Sequence, residues 1–186
     1  MRGARRVIAF TGPFVLVLVA GGRLGWPVKA QPNAPAGEPL VASASRQIGV
    51  RRCLAAIDSV SRRVTQGATR QDIMMDWDRA RPDVGPLFAL TGMSDGRRKA
   101  LFTLAAAPTP EGGCSLMAER IGVEKVTCQN FAATELSGYQ SSALIDGISV
   151  YYSRARPGET FTLTNAGTNC LVVRRQPAFN TRGTAR

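Results

Sequence analysis

The four cysteines constrain the fold of this chain more than any other feature. Cys114, Cys128 and Cys170 lie in the stretch 99–175, which is rich in β-branched and aromatic runs, whereas Cys53 lies upstream in a segment with helical periodicity. If all four pair within the chain, every connectivity joins Cys53 to one of the other three. The sequence therefore predicts two disulfides, one of which fastens an N-terminal helix to the strands, and it leaves the pairing open.

The first 30 residues have the pattern of a secretory signal peptide. Three arginines precede an apolar run over residues 7–22, and Val28-Lys29-Ala30 suits cleavage before Gln31. Cleavage after Gly22 and retention as an uncleaved anchor are the alternatives, but the run is shorter than the ~20 residues that span a bilayer. We expect a periplasmic or secreted protein with no transmembrane segment after processing, in a compartment that oxidises thiols.

The charge balance gives a weaker indication of partners. Removal of the five basic residues in positions 1–30 lowers the formal net charge from +11 to +6. A net positive charge of this size permits peripheral contact with an anionic surface, although it is also ordinary for a protein of this length. The chain is only 6% aromatic, and we expect no nucleic-acid partner.

The remainder of the chain divides into three regions. Residues 31–44 are proline-rich and predict a flexible leader, residues 45–176 predict a single domain, and residues 177–186 predict a disordered tail. Apolar residues at three- and four-residue intervals predict one helix over about 45–66 and a shorter one over about 69–82.

Strand patterns dominate the second part of the domain. Asp95-Gly96 predicts the turn of a β-hairpin, and the runs 148–152, 160–164 and 170–173 are separated by turn sequences. Together these features predict an α+β fold in which two N-terminal helices pack on a mainly antiparallel sheet held by two disulfides.

The segment Cys114–Ile121 is ambiguous between strand and helix. We favour a strand that returns through residues 122–125 into a second strand over Val126–Phe131. In such a hairpin Cys114 would lie about 16 Å from Cys128, beyond the ~7 Å between Cα atoms that a disulfide allows. A regular hairpin here therefore excludes a Cys114–Cys128 disulfide.

The residues that several kinds of catalysis require are absent from the chain. The chain has no histidine, which excludes Ser-His-Asp and Cys-His catalysis and His-containing zinc sites, and it has no glycine-rich phosphate-binding motif. We expect no metal site and no cofactor. A pair of carboxylates could still hydrolyse glycosidic bonds. The acids considered for such a pair are Glu111, Glu119, Glu124, Glu135 and Asp146.

The strongest candidate for recognition is the segment 132–146, which has no periodicity and no basic residue. On the strand that follows it we expect Tyr152 to face the core and Tyr151 to face outward. The candidate binding residues are Tyr139, Tyr151, Arg154 and Arg156.

These observations favour an exported, non-catalytic binding or accessory protein of the cell envelope or extracellular space. An inhibitor, an immunity-type protector and an assembly accessory are all compatible with them, and the partner would be a protein or an envelope polymer. The alternative is a small carboxylate-dependent hydrolase of envelope polymers.

Overall fold

The computed structural model describes residues 38–181. The predicted signal peptide, residues 31–37 of the predicted leader and residues 182–186 of the predicted tail lie outside this part of the chain. The described residues form three helices and eight strands. In chain order these are α1 (Leu40–Gln47), α2 (Leu54–Val64), β1 (Arg70–Trp77), β2 (Leu87–Ser94), β3 (Lys99–Pro108), β4 (Cys114–Glu124), α3 (Cys128–Glu135), β5 (Gln140–Ile145), β6 (Ile148–Tyr152), β7 (Thr160–Ala166) and β8 (Asn169–Thr181).

All eight strands belong to one sheet in the order β1-β2-β3-β4-β8-β7-β6-β5, and every neighbouring pair is antiparallel. The sheet consists of two four-strand meanders, because β8 returns to pair with β4 at the centre. This arrangement confirms the predicted α+β fold with two N-terminal helices on an antiparallel sheet. We call α1, α2 and β1–β4 the first half, and α3 and β5–β8 the second half.

All three helices lie on the same face of the sheet. The register places Gly122 of β4 opposite Ala100 of β3 and opposite Val172 of β8, so these residues share a face. Ala100 packs at the edge of the cluster that includes α1 and α2, and Val172 belongs to the cluster that includes α3. We call this face the helix face, and the opposite face, on which no helix within residues 38–181 packs, the open face.

The two disulfides each fasten one half of the molecule. Cys53, at the start of α2, is bonded to Cys114 of β4, and Cys128 of α3 is bonded to Cys170 of β8. Cys53 is buried at 2% exposure, so the disulfide that fastens α2 to the sheet lies in the core. The described residues contain no free cysteine.

The first half holds the larger apolar core. Its cluster takes residues from α1, α2 and β1–β4, with Ile57 and Phe102 fully buried at its centre. The second cluster is much smaller among the described residues. Its buried members are Cys128, Leu136, Leu163, Cys170 and Val172.

Two predictions about the N-terminal helices need correction. The helix predicted over residues 45–66 is two helices separated at Gly49, whose φ of +99° suits glycine. Because α1 begins at Leu40, residues 40–44 are buried and helical where a flexible leader was predicted. The helix predicted over residues 69–82 is wrong, because that segment forms the edge strand β1, with Ile73 and Met75 buried on alternate positions.

The centre of the chain also differs from expectation. Residues 114–121 form a strand, as favoured, but the predicted return strand over Val126–Phe131 is wrong. Thr127 instead caps the N-terminus of α3, and β4 pairs with β8. That pairing extends β8 to Thr181, into residues predicted to be a disordered tail.

Candidate binding surfaces

The predicted binding residues Tyr139 and Tyr151 lie in the second half, but the orientation of Tyr151 differs from the prediction. The ring of Tyr139 packs edge-on against Phe161, with 5.5 Å between ring centroids. Tyr151 packs against the second cluster, whereas Tyr152 is 41% exposed on the open face. The expectation that Tyr152 is buried and Tyr151 outward is therefore wrong, because α3 covers the face that carries Leu163 and Tyr151.

Tyr139 and Arg156 are engaged by a buried carboxylate that the sequence analysis did not single out. Glu159 is only 7% exposed. It accepts hydrogen bonds from Tyr139 Oη at 2.7 Å, Arg174 Nε at 2.8 Å and Gln176 Nε2 at 2.9 Å. Arg156 Nη1 lies 3.5 Å from Glu159 Oε1, the oxygen that also accepts from Tyr139. The network therefore joins β8 to the turn between α3 and β5 and to the turn between β6 and β7.

The pKa shifts in this network follow from burial and hydrogen bonding. Burial of Glu159 opposes its ionisation, but the hydrogen bonds from Tyr139, Arg174 and Gln176 outweigh that cost, so the pKa of Glu159 is lowered. Burial raises the pKa of Tyr139, and its hydrogen bond to Glu159 adds to the increase. Both shifts follow from the contacts that hold the Glu159 carboxylate in place. Of the predicted binding residues, only Arg154 is exposed and without an ion pair or side-chain hydrogen bond in residues 38–181.

A cleft lined by arginines runs across the helix face between the two core clusters. It comprises two adjoining cavities of about 160 Å³ and about 120 Å³ that share Arg98, Ala100 and Arg120. The larger cavity extends to the C-terminal end of α2, and the smaller cavity extends to α3 and Arg174. We call this site the arginine cleft.

The three arginines of the cleft differ in their partners. Arg174 is paired with Glu159 and its guanidinium lies 5.6 Å from the ring centroid of Phe161. Arg98 lies 3.3 Å from Asp95 and 3.9 Å from Glu124. Arg120 is half-buried and directly opposite Arg174 in the β4–β8 register, yet it has no ion pair or side-chain hydrogen bond in the described part of the chain.

The open face is unusually apolar for an uncovered antiparallel sheet. Met74 and Leu101 are each 43% exposed, and Phe88 and Val123 are each 52% exposed. An open groove of about 880 Å³ crosses this face toward its β2–β3 turn. Its floor includes Gly92, which leaves a gap in the row of side chains formed by Asp72, Leu101, Ile121 and Val173.

The acids considered for carboxylate catalysis are dispersed over the molecule. Glu119 on the open face is bonded to Arg175 at 3.0 Å, and Glu124 lies in the arginine cleft beside Arg98. The other three acids are exposed: Glu111 lies in the turn between β3 and β4, Glu135 at the end of α3 and Asp146 in the β5–β6 turn. Within residues 38–181 no three metal-ligating side chains gather at one point, and no helix has the length and apolar character needed to cross a membrane.

Sequence reasoning did not place Arg120 or Arg174 among the candidate site residues, and it did not predict the open face. The two arginines are opposed because β4 pairs with β8, and they are 54 residues apart in the sequence. No local sequence pattern contains such a pairing. A local signal did exist for the open face, because Leu101 and Phe102 are adjacent apolar residues of one strand and must face opposite sides.

Comparison with known proteins gives no further guide to the site. The chain matches no protein-family model, no curated protein and no solved structure. The surfaces described above are therefore the basis for assigning a function.

Proposed function

We propose that the chain is an exported, disulfide-stabilised binding or accessory protein of the cell envelope or extracellular space, which acts without catalysis. Its binding surface is the open face of the sheet, and its partner is a protein with an exposed apolar patch. The observation that carries this proposal is the group of exposed apolar side chains on neighbouring strands of a face that no described helix covers.

The composition of the open face supports a role in association. A sheet that faces water on one side usually alternates apolar and polar residues so that its outer face is polar. Here four large apolar side chains on neighbouring strands are each more than 40% exposed: Met74, Phe88, Leu101 and Val123. A largest exposed apolar patch of a few hundred Å² is often a binding site.

The size and border of the patch favour a protein partner over a lipid surface. Strands β1–β4 and β8, spaced ~4.8 Å apart, and about six residues of ~3.3 Å give an area of roughly 400 Å², which suits the centre of a standard interface. The Glu119–Arg175 ion pair lies within this area. Arg70 and Lys99 border it at one end, and Asp72 and Asp76 border it along β1. A polar rim of both signs is typical of protein interfaces, whereas an anionic membrane favours a basic rim alone.

Export is supported by two independent features. The N-terminal 30 residues have the pattern of a signal peptide, and all four cysteines are disulfide-bonded. Structural disulfides persist in oxidising compartments and are rare in the cytosol. The second half, with its small core, depends most on that compartment.

The proposal is tested by a charge placed in the patch and a matched charge outside it. Leu101→Arg lies at the centre of the open face, whereas Leu144→Arg alters an exposed leucine on edge strand β5. Mature wild type and both variants are immobilised, and proteins of the envelope and secreted fractions that they retain are quantified. The captured protein is then purified and its affinity measured by calorimetry.

We expect Leu101→Arg to weaken binding of the purified partner at least tenfold and Leu144→Arg to leave it unchanged. Thermal unfolding of both variants controls for loss of structure. Equal affinities of a folded Leu101→Arg variant and wild type would refute the open face as the binding surface. Cleavage of envelope polymers by the purified protein, abolished by Glu→Gln substitutions, would instead support the hydrolase.

A further inference from the structure

The geometry points to a second site: we propose that the arginine cleft on the helix face binds the oxyanion of a small ligand, anchored by Arg120. This proposal does not depend on the open face or its partner. It rests on the position of Arg120, the empty volume beside it and the partners already taken by its neighbours.

Arg120 is in an unfavourable position unless an anion is present. It is half-buried and directly opposite Arg174, and like charges on directly opposed residues of antiparallel strands destabilise a sheet. Burial makes the repulsion stronger, because less water screens it. Glu159 neutralises Arg174, but within residues 38–181 nothing neutralises Arg120. The ion pair with Glu159 offsets part of the repulsion, and an oxyanion held by the guanidinium of Arg120 would pair the charge that is left.

The floor of the cleft is kept clear by small side chains. Gly122 lies between Ala100 and Val172, and a Cβ added to it would meet only the Cβ of Ala100, at 3.9 Å. Its φ is not in the left-handed region, so the backbone does not require glycine there. The effect of Gly122 is therefore to leave open space beside Arg120, in the middle of the sheet.

The surrounding charges limit the ligand to one oxyanion. Asp95 and Glu124 line the cleft, and both are already close to Arg98. Their carboxylates would repel a second anionic group. Phe131 and Phe161 line the side toward α3. The ligand that fits is therefore a small molecule with one phosphate or carboxylate and an adjoining apolar or aromatic group.

Binding is tested first with inorganic phosphate and then with phenyl phosphate and benzoate. Titration calorimetry and thermal unfolding are performed at constant ionic strength, with chloride as the reference anion. The proteins are the mature wild type, Arg120→Gln, Gly122→Leu and Arg154→Gln. The last is a matched control, because it removes the same charge from an exposed turn. Gly122→Ala replaces Gly122→Leu if the larger side chain prevents folding.

We expect phosphate to raise the Tm of wild type and of Arg154→Gln in a saturable manner. Arg120→Gln and Gly122→Leu should lose this response, and Arg120→Gln should be at least as stable as wild type in chloride. Phenyl phosphate should bind wild type about tenfold more tightly than phosphate, because the ring reaches the aromatic side of the cleft. Comparison of phenyl phosphate with benzoate distinguishes a phosphate from a carboxylate ligand.

Three results would overturn the proposal. One is a Tm that changes with ionic strength but not with the identity of the anion. Another is an equal phosphate response in wild type and Arg120→Gln. The third is a loss of the response in Arg154→Gln as large as in Arg120→Gln, since that would indicate an effect of net charge alone.

Discussion

The two halves of the molecule use the same sheet and the same face but are stabilised differently. The first half buries a cluster that draws on α1, α2 and all four of its strands, whereas the second half has five buried apolar residues in its cluster, two of them a disulfide. In place of an extensive core, the second half has the hydrogen-bonded carboxylate of Glu159. Regular strand pairing alone therefore does not imply a uniform distribution of stability along a sheet.

The helices show the same contrast. Neither α1 nor α2 has a side-chain cap, yet α1 buries six consecutive residues and α2 buries Ile57, Val60, Ser61 and Val64. The helix α3 buries only Cys128 and begins with a hydrogen bond to the side chain of Thr127. Strand β5, at the edge of the second half, is exposed along its whole length. Few buried apolar contacts and exposed backbone are the features of segments that open first.

Removal of one disulfide at a time should give the largest difference between the halves. The disulfides close loops with sequence separations of 61 and 42 residues, so the chain-entropy model gives each about 4 kcal/mol. Replacing Cys53 and Cys114 by alanine should reduce the protection of all amides. Replacing Cys128 and Cys170 should reduce protection mainly in α3 and β5–β7, as measured by hydrogen exchange with mass spectrometry.

The comparison would fail if both double variants lost protection uniformly over residues 38–181. That result would indicate a single cooperative unit in which the size of the local core is unimportant. Urea unfolding followed at two probes provides a second measurement. In the variant without Cys128 and Cys170, the fluorescence of Trp77, which lies in the first half, should change at a higher urea concentration than the far-UV signal.

A matched pair of leucine substitutions tests the same contrast without altering a covalent bond. Leu104 of β3 and Leu163 of β7 are both 2% exposed, but they lie in the large and the small cluster respectively. Leucine-to-alanine changes in cores cost about 2–5 kcal/mol, with larger values where surrounding atoms cannot relax into the cavity. We expect about 4 kcal/mol for Leu104→Ala and about 2 kcal/mol for Leu163→Ala, from urea unfolding. Equal losses would indicate that the small cluster is packed as rigidly as the large one.

Much of the fold was predictable because several elements have a recognisable pattern within a short stretch of sequence. The Asp95-Gly96 turn, the strands around 148–152 and 160–164, and the apolar stripe of α2 all appear in short windows of sequence. β1 was misassigned because Ile73 and Trp77 are four residues apart, a spacing that suits a helix and also places them on one face of a strand. Met75 between them is buried, and this alternation was the better signal.

The candidate sites were less predictable because they depend on which strands become neighbours. Arg120 and Arg174 are opposed only because β8 returns to the centre of the sheet, and Glu159 finds its partners in β8 and at Tyr139. The wrong assignment of Tyr151 and Tyr152 has the same origin. Alternation along β6 was clear, but the sequence does not specify which face the helices cover.

The last prediction concerns the carboxylate of Glu159, on which the second half depends in place of a core. We expect Glu159→Gln to destabilise the protein by about 2 kcal/mol at pH 7, because Arg174, Gln176 and Tyr139 lose hydrogen bonds to a charged acceptor. The exposed Glu135→Gln, at the end of α3, is the matched control and should change stability by less than about 0.5 kcal/mol.

The pH dependence of that effect separates a charge from a packing role. The pKa of Glu159 is lowered in the folded state, so its contribution is present above the ordinary carboxyl pKa and is lost as the pH falls through the lowered value. The difference in unfolding free energy between wild type and Glu159→Gln should therefore shrink as the pH falls below the ordinary carboxyl pKa and through the lowered pKa of Glu159. Hydrogen bonds from the amides of Arg98 and Arg97 lower the pKa of Asp95 to about 2, and because Asp95 is present in both proteins its titration cancels from the difference. A difference that stays constant with pH would mean that Glu159 acts through its shape, and that the second half does not rely on a buried charge.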